Sequence, residues 1–196
     1  MKSEFPSTFL DRRIDRRHLV RSFGAATLSG ATVALMAGKD SLAAAQTNSA
    51  EAVETDIRIL NTALGAELEA VAAYQLGAES GLLRAPSLDL AVQFQGHHKE
   101  HAEALSATVE KLGGSAISSK SQYDFPTDEL TSEQDVLRFA ASLEKGAVSA
   151  YLGAVPLFAD RELSRVSASI LGDEAMHWAV LRQALGEEPV PGAFLS

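Results

Sequence analysis

The chain has 196 residues, with 17 Lys and Arg, 26 Asp and Glu, a formal net charge of -9 and no Cys. The length suits one ordinary domain, and the absence of Cys excludes disulfides, thiolate metal sites and thiol catalysis. The negative charge argues against nucleic acid as a partner, and the low aromatic content of 6 % favours packed helices over sheets.

The N-terminal segment, residues 1–45, has the pattern of an export signal. The pair Arg16-Arg17 is followed by a weakly apolar run over 23–37 and then by Ala43-Ala44-Ala45, the small residues of a signal-peptidase site. This segment resembles a twin-arginine signal peptide. The resemblance implies cleavage before residue 46, the twin-arginine export machinery as a partner, and a periplasmic or otherwise exported protein. The alternative is a basic amphipathic helix that belongs to the fold.

Apolar residues at helical spacing predict four helices in the rest of the chain. A polar lead-in at 46–54 precedes a bundle domain at 55–186, in which residues 115–129 form a loop, and 187–196 form a C-terminal tail. The predicted helices cover about 56–83, 87–112, 132–155 and 161–185. The outer connections are short and the middle one is long. The sequence therefore predicts an all-α, antiparallel four-helix bundle of two helical hairpins joined by a long crossover.

Short polar residues mark the predicted helix starts, because their side-chain oxygens can accept hydrogen bonds from the free amides of a first turn. Thr55 or Asp56 caps the first helix, Ser87 caps the second and Ser132 caps the third. Pro156 ends or kinks the third helix, since a proline in a helix interior removes a hydrogen bond and clashes with the preceding turn.

Two of the predicted helices share a motif. The first helix reads Glu67-x-x-Ala-Val-x-Ala-Tyr74, and the third reads Glu144-x-x-Ala-Val-x-Ala-Tyr151. This repeat indicates a duplicated hairpin and a pseudo-twofold bundle. Both glutamates lie on apolar stripes and are expected inside. The tyrosines are either plain core aromatics or donors of hydrogen bonds to ligand carboxylates, which would give them a supporting role beside the ligands.

The second and fourth helices carry the other half of the repeat, His98-x-x-His101 and Glu174-x-x-His177, at almost the same offset. Positions i and i+3 share a helix face, so each pair can present two ligands together. One carboxylate from each of two helices and such a pair from the other two form the ligand pattern of di-iron and di-manganese bundles. The neighbouring His97 is expected at the rim. The predicted metal ligands are Glu67, His98, His101, Glu144, Glu174 and His177.

These motifs resemble those of the ferritin-like superfamily, which contains ferritins, rubrerythrins and manganese catalases, over about residues 55–186. The resemblance implies a ferritin-like bundle that holds Fe or Mn, with Zn as a further option suited to oxygen and imidazole donors. In it, Glu67 and Glu144 are terminal ligands and Glu174 is a bridge. The sequence departs from the family at His98, where a bridging Glu is usual. The centre then holds either two metals linked through Glu174 and water, or a single metal.

Three functions are compatible with these features. The first is an exported metalloprotein that handles peroxide or dioxygen, or oxidises metal ions, under oxidative or metal stress. The second is non-catalytic metal binding, which His98 favours, and the third is a metal-free ferritin-like scaffold. The sequence leaves open whether the protein is an enzyme and whether it forms a homo-oligomer. It predicts no stable membrane span in the mature chain, because the apolar run at 23–37 is too short and too rich in Gly.

Overall fold

Four α-helices form the fold that the sequence predicts. The computed structural model describes the backbone of residues 39–194 and the side chains of residues 49–194. Within that part of the chain there are two single 3₁₀ turns and no strand, so the all-α prediction is confirmed. No helix among these residues combines the length and the apolar character that crossing a membrane requires. The helices are α1 (Lys39–Glu79), α2 (Ala85–Lys111), α3 (Glu133–Ala154) and α4 (Arg161–Ala184).

The second half of the bundle follows the predicted boundaries, and the first half departs from them. Helix α3 is capped by Ser132, whose hydroxyl accepts a hydrogen bond from the Asp135 amide, as predicted. Helix α2 begins at Ala85 with Pro86 in its first turn and without a side-chain cap, so the predicted cap at Ser87 is wrong. Proline suits a first turn because the amide that it lacks has no partner there.

Helix α1 begins at Lys39 rather than near residue 56, so the polar lead-in at 46–54 is helical. This stretch contains neither Gly nor Pro, so no residue in it opposes the continuation of a helix that lacks an apolar face. The helix ends at Glu79 instead of residue 83, before Gly81 at φ 71°. The twin-arginine pair and the apolar run of the predicted signal lie outside the described residues.

Two apolar clusters fix the direction of each helix from Ala50 onward. The first cluster contains Leu60, Leu64, Ala102, Leu105, Val109, Tyr151, Phe158 and Ile170. The second contains Tyr74, Ala91, Phe94, Leu137, Ala141 and Leu181. Helices α1 and α4 run from the first cluster to the second, whereas α2 and α3 run from the second to the first. This is an up-down-down-up order, and it requires the long crossover between α2 and α3.

The crossover lies against α1 where it leaves α2. Helix α2 ends before Gly113, which adopts the left-handed conformation with φ 84°. The side chain of Asn61 then donates to the Ser115 carbonyl at 3.0 Å and accepts from the Ile117 amide at 2.9 Å. A Cβ atom at Gly114 would lie 2.7 Å from a methyl group of Ile57, so the chain approaches α1 closely only because this residue is glycine.

Asp56 was predicted to cap α1, but it lies inside that helix and is 3 % exposed. Its carboxylate accepts hydrogen bonds from the amides of Ala159 at 2.9 Å and Asp160 at 3.2 Å. These amides lie at the start of α4, where free N–H groups and the helix dipole favour a negative charge. Asp56 therefore ties the start of α4 to α1 across the bundle.

Replacing Asp56 by Asn should lower the free energy of unfolding by about 1–3 kcal/mol, because hydrogen bonds to a charged group contribute that much. The measurement is urea unfolding of the purified protein followed by circular dichroism. Asp89→Asn, an exposed position on α2, is the matched control and should change the value by less than about 0.5 kcal/mol. Equal stability of the two variants would contradict the role of Asp56.

Candidate metal centre

The six predicted ligands lie together in one polar layer between the two apolar clusters. Glu67 and Glu144 lie on the apolar stripes on which they were predicted, since Glu67 follows the buried Leu64 on α1 and Glu144 follows the buried Ala141 on α3. Five of the six are at most 2 % exposed, and only His101 is partly exposed. Apolar side chains therefore flank these groups along the bundle in both directions.

The polar layer divides into two overlapping groups of four residues. The first group is Glu67, His98, His101 and Glu174, and the second is His98, Glu144, Glu174 and His177. In each group, one donor atom per residue lies within 4.8 Å of all the others. His98 and Glu174 belong to both groups, whereas each group has one further glutamate and one further histidine of its own.

His98 lies between the two glutamates that belong to single groups. Its Nδ1 is 2.8 Å from Oε2 of Glu67, and its Nε2 is 3.2 Å from Oε1 of Glu144. Glu174 lies on the same side as Nδ1, with its Oε1 3.6 Å from that atom. The two ring nitrogens of His98 therefore face different carboxylates, one on α1 and one on α3.

The two tyrosines of the repeat support the glutamates crosswise. Tyr151 on α3 donates a hydrogen bond of 2.6 Å to Oε1 of Glu67 on α1. Tyr74 on α1 donates to Oε1 of Glu144 on α3. Burial and the adjacent carboxylates raise the pKa of both phenols, so these groups stay protonated and remain donors. Each tyrosine thus orients the glutamate of the other repeat.

Asp173 is a functional candidate that the sequence analysis missed. Its Oδ2 lies 3.1 Å from Nδ1 of His97, 3.4 Å from Nε2 of His101 and 3.2 Å from Nε2 of His177. An acceptor at Nε2 leaves Nδ1 of His101 and His177 for the centre, as in carboxylate–histidine–metal arrangements. The spacing of Asp173 and His177, four residues apart on one helix face, is the signal that the sequence contains for this residue.

His97 lies at the edge of the polar layer, as predicted. Its side chain is 35 % exposed, and its Nδ1 is 2.9 Å from Nε2 of His177. With Asp173 and His177 it forms a third group of donors within 4.8 Å. His177 faces His97 and Asp173 through Nε2, whereas its Nδ1 faces Glu144 and Glu174.

A family model described as the ferritin-like domain matches residues 55–187 of the sequence. The chain belongs to the ferritin-like family. The predicted resemblance is thereby confirmed, together with the four-helix fold. None of the curated proteins matches the sequence.

Two solved structures share the ferritin-like fold of this chain. One is a conserved hypothetical protein, rv2844, from Mycobacterium tuberculosis, with a TM-score of 0.63, 20 % identity and coverage of 72 % of this chain and 97 % of that one. The other belongs to ferritin-like, diiron-carboxylate proteins from Bacillus anthracis str. Ames, with a TM-score of 0.59, 19 % identity and coverage of 68 % and 97 %. At these identities the similarity shows the fold alone.

Burial and charge set the protonation of the ferritin-like core. Burial alone would lower the pKa of His98, but the carboxylates of Glu144 and Glu67 outweigh it and raise the pKa to about 10. The same balance raises the pKa of His101 and His177 to about 9. In turn, these imidazoles overcome the burial of Glu67 and Glu144 and hold their pKa values below the usual 4.5. Protons on the histidines therefore balance the buried negative charge of the metal-free protein.

Several donor atoms of the ferritin-like core are placed to bind a metal ion and form no hydrogen bond within the protein. Within residues 49–194, five buried side-chain atoms make no hydrogen bond: Nδ1 of His101 and His177, Oε2 of Glu144, and both carboxylate oxygens of Glu174. Nδ1 of His101 is 3.1 Å from Oε1 of Glu174, and Nδ1 of His177 is 3.5 Å from Oε2. Donor atoms that crowd together without hydrogen bonds are arranged as ligands of a common ion would be.

The metal-free protein should lose stability as the pH rises from about 6.5 to about 10. The three histidines have raised pKa values when folded, so their contribution is complete below their usual value of 6.5 and disappears as the pH passes through about 9–10. Thermal unfolding between these pH values measures the effect. Zn(II) loading should reduce the fall, since a metal replaces the protons. A constant or rising unfolding temperature in the metal-free protein would contradict this account.

Asp173→Asn should lower metal affinity about 10–100-fold, because the weaker acceptor no longer holds Nδ1 of His101 and His177 toward the centre. Calorimetric titration of the metal-free protein with Zn(II) measures the affinity. Asp128→Asn, in the exposed turn Thr127–Glu129, is the matched control and should leave it unchanged. Unaltered affinity in Asp173→Asn would show that this carboxylate does not support the ligands.

Proposed function

We propose that this ferritin-like protein binds Fe or Mn ions at the centre of the bundle and reacts there with peroxide or dioxygen. The observation that carries the proposal is the pair of overlapping donor groups, which together hold three carboxylates and three imidazoles from all four helices. The name of the similar structure from Bacillus anthracis, a diiron-carboxylate protein, supports the same assignment. Oxygen and imidazole donors suit Fe and Mn, and also Zn.

The residues divide into three roles around such a centre. Glu67 and Glu144 would each be a ligand at one end of the centre. Tyr151 and Tyr74, whose phenols stay protonated, would orient these glutamates by donating hydrogen bonds to them. Glu174 would lie between the ends, since it belongs to both groups. A bound Fe or Mn ion would supply electron transfer to or from peroxide or dioxygen, chemistry that protein side chains here cannot provide.

A cavity of about 230 Å³ gives small molecules access to the centre from the side of α1 and α3. Its inner wall includes Glu67, His98 and Glu144, and its outer wall includes the exposed small residues Ala66 and Gly146. The volume corresponds to roughly eight water molecules, which take about 30 Å³ each in the liquid. Peroxide and dioxygen are small enough to fit within this volume.

Non-catalytic metal binding is the second candidate, and His98 is the observation that favours it. A ferritin-like centre with a histidine in place of a bridging carboxylate retains enough donors to hold metal. Loss of the bridging carboxylate impairs reactivity with dioxygen more than it impairs affinity for the metal. A metal-free scaffold fits less well, because the unpaired donor atoms of Glu174 and of the two histidines would then stay buried without partners.

The N-terminal pattern supports a further proposal, that the protein is exported through the twin-arginine route and works in the periplasm or outside the cell. The pair Arg16-Arg17, the apolar run and the small residues at 43–45 occur in the order that such signals have. That route carries folded proteins, so the centre could be loaded with metal before export.

Glu174→Gln tests the proposed centre because it removes a charged donor from both groups at once. The wild-type protein should retain stoichiometric Fe or Mn after desalting, and the variant should bind either metal at least about tenfold more weakly. Elemental analysis measures the metal, and catalase and ferroxidase assays on the loaded protein measure the reaction. Glu100→Gln, exposed on α2, is the matched control and should behave as wild type.

The outcomes separate the candidates. Wild-type protein that retains no stoichiometric metal contradicts both metal-dependent functions and supports a scaffold. Bound metal without peroxide or ferroxidase turnover supports non-catalytic binding. Turnover that Glu174→Gln leaves intact would place the reaction somewhere other than this centre.

A further inference from the structure

We propose that His98 is a bridging ligand, which binds one metal ion through Nδ1 and a second through Nε2. This inference rests on the proposed metal-binding function and deepens it, since the centre then holds two ions joined by an imidazole ring. It replaces the alternatives of a single ion or of two ions linked only through Glu174 and water. It also gives a role to the residue at which the sequence departs from the ferritin-like pattern.

The first support is the orientation of the ring. Nδ1 lies 2.8 Å from Glu67, a donor of the first group alone, and Nε2 lies 3.2 Å from Glu144, a donor of the second group alone. A ligand of a single ion would need only one nitrogen near a donor group. Here each nitrogen lies beside the carboxylate that would hold a different ion.

The second support is the internal repeat. The pair at 98 and 101 corresponds to the pair at 174 and 177, so His98 and Glu174 occupy equivalent positions in the two hairpins. Glu174 belongs to both donor groups, and so does its counterpart His98, as a pseudo-twofold arrangement would give. Of these two inner groups, the equivalents His101 and His177 each belong to one, as terminal ligands would. The position of His98 in the repeat is thus a shared position.

The third support is that the ring is held in place. His98 is 1 % exposed, and the ring of Tyr74 lies 5.3 Å from it, centroid to centroid. The same Tyr74 donates to Glu144, so the contact fixes both partners on the Nε2 side. A ring confined in this way presents its two nitrogens in constant directions.

Binding through both nitrogens requires that the ring carry no proton. The ring proton that remains when one nitrogen binds a metal must leave to solvent as the second ion binds, and no electron is transferred in this step. The ring then carries a negative charge, which two cations in a buried layer stabilise. A bridging carboxylate would be charged in the same way, so His98 preserves the charge of the residue that the family usually has.

Titration of the metal-free protein with Co(II), followed by calorimetry, tests the shared role. Wild type should bind two ions per chain. His101→Gln and His177→Gln should each weaken one of the two binding events, whereas His98→Gln should weaken both by at least about tenfold. Glu100→Gln, at an exposed position of the same helix, is the matched control and should leave both events nearly unchanged.

Magnetic coupling provides a second measurement. Wild-type protein loaded with two Cu(II) ions per chain should give an electron paramagnetic resonance signal of less than one spin per copper at low temperature. The coupling should persist in Glu174→Gln, which keeps the imidazole bridge, and disappear in His98→Gln loaded to the same copper content. Thermal unfolding of each variant checks that it is folded.

The results distinguish failure of this inference from failure of the proposed function. Wild-type protein that binds no ion overturns both. A single bound ion, or two ions of which His98→Gln weakens only one, overturns the bridge and leaves metal binding intact. Uncoupled copper in wild type, or coupling that survives in His98→Gln, also overturns the bridge.

Discussion

The structure depends on the burial of three glutamate side chains in the middle of a helical bundle. Glu67, Glu144 and Glu174 are each at most 2 % exposed, and apolar clusters lie on both sides of them. A buried carboxylate without a partner costs several kcal/mol, so a fold that buries three must supply positive charge in the same layer. Three imidazoles meet this need in the metal-free protein by holding protons, and metal ions would meet it in the loaded protein. The same residues therefore serve stability and metal binding, and the two are linked.

The internal repeat explains how one chain arranges these groups from four helices. A hairpin contributes one glutamate and one pair of residues three apart, and its duplicate contributes the same from the opposite side. The tyrosine of each hairpin reaches the glutamate of the other, so neither half can orient its ligands alone. Because α1 and α3 run in opposite directions, the two tyrosines reach these glutamates from opposite sides of the polar layer. The long crossover provides that topology, which a simple up-and-down bundle with short loops would not.

Residues that carry a local pattern could be predicted, and those that act through tertiary contacts could not. Glutamate and histidine positions followed from helical periodicity and from the repeat, because both are properties of the sequence alone. Asp56 looked like a helix cap by type and position, yet it binds amides about a hundred residues away. Asp173 was overlooked since its role depends on His101, which lies on another helix. The helical course of 46–54 was missed because a polar helix has no apolar face to reveal it.

The centre has two unlike sides, and this asymmetry indicates how ions and small molecules would approach it. On the side of α1 and α3, small residues leave a cavity whose inner wall is formed by Glu67, Glu144 and His98. On the side of α2 and α4, His97 and Asp173 form the partly exposed edge, and Phe94 stacks on His177 with ring centroids 4.0 Å apart. Imidazoles backed by a carboxylate and an aromatic ring are held in place on this side, whereas the cavity lies on the side of α1 and α3. In the proposed reaction, the small residues of α1 and α3 would leave room beside the ligands for peroxide or dioxygen.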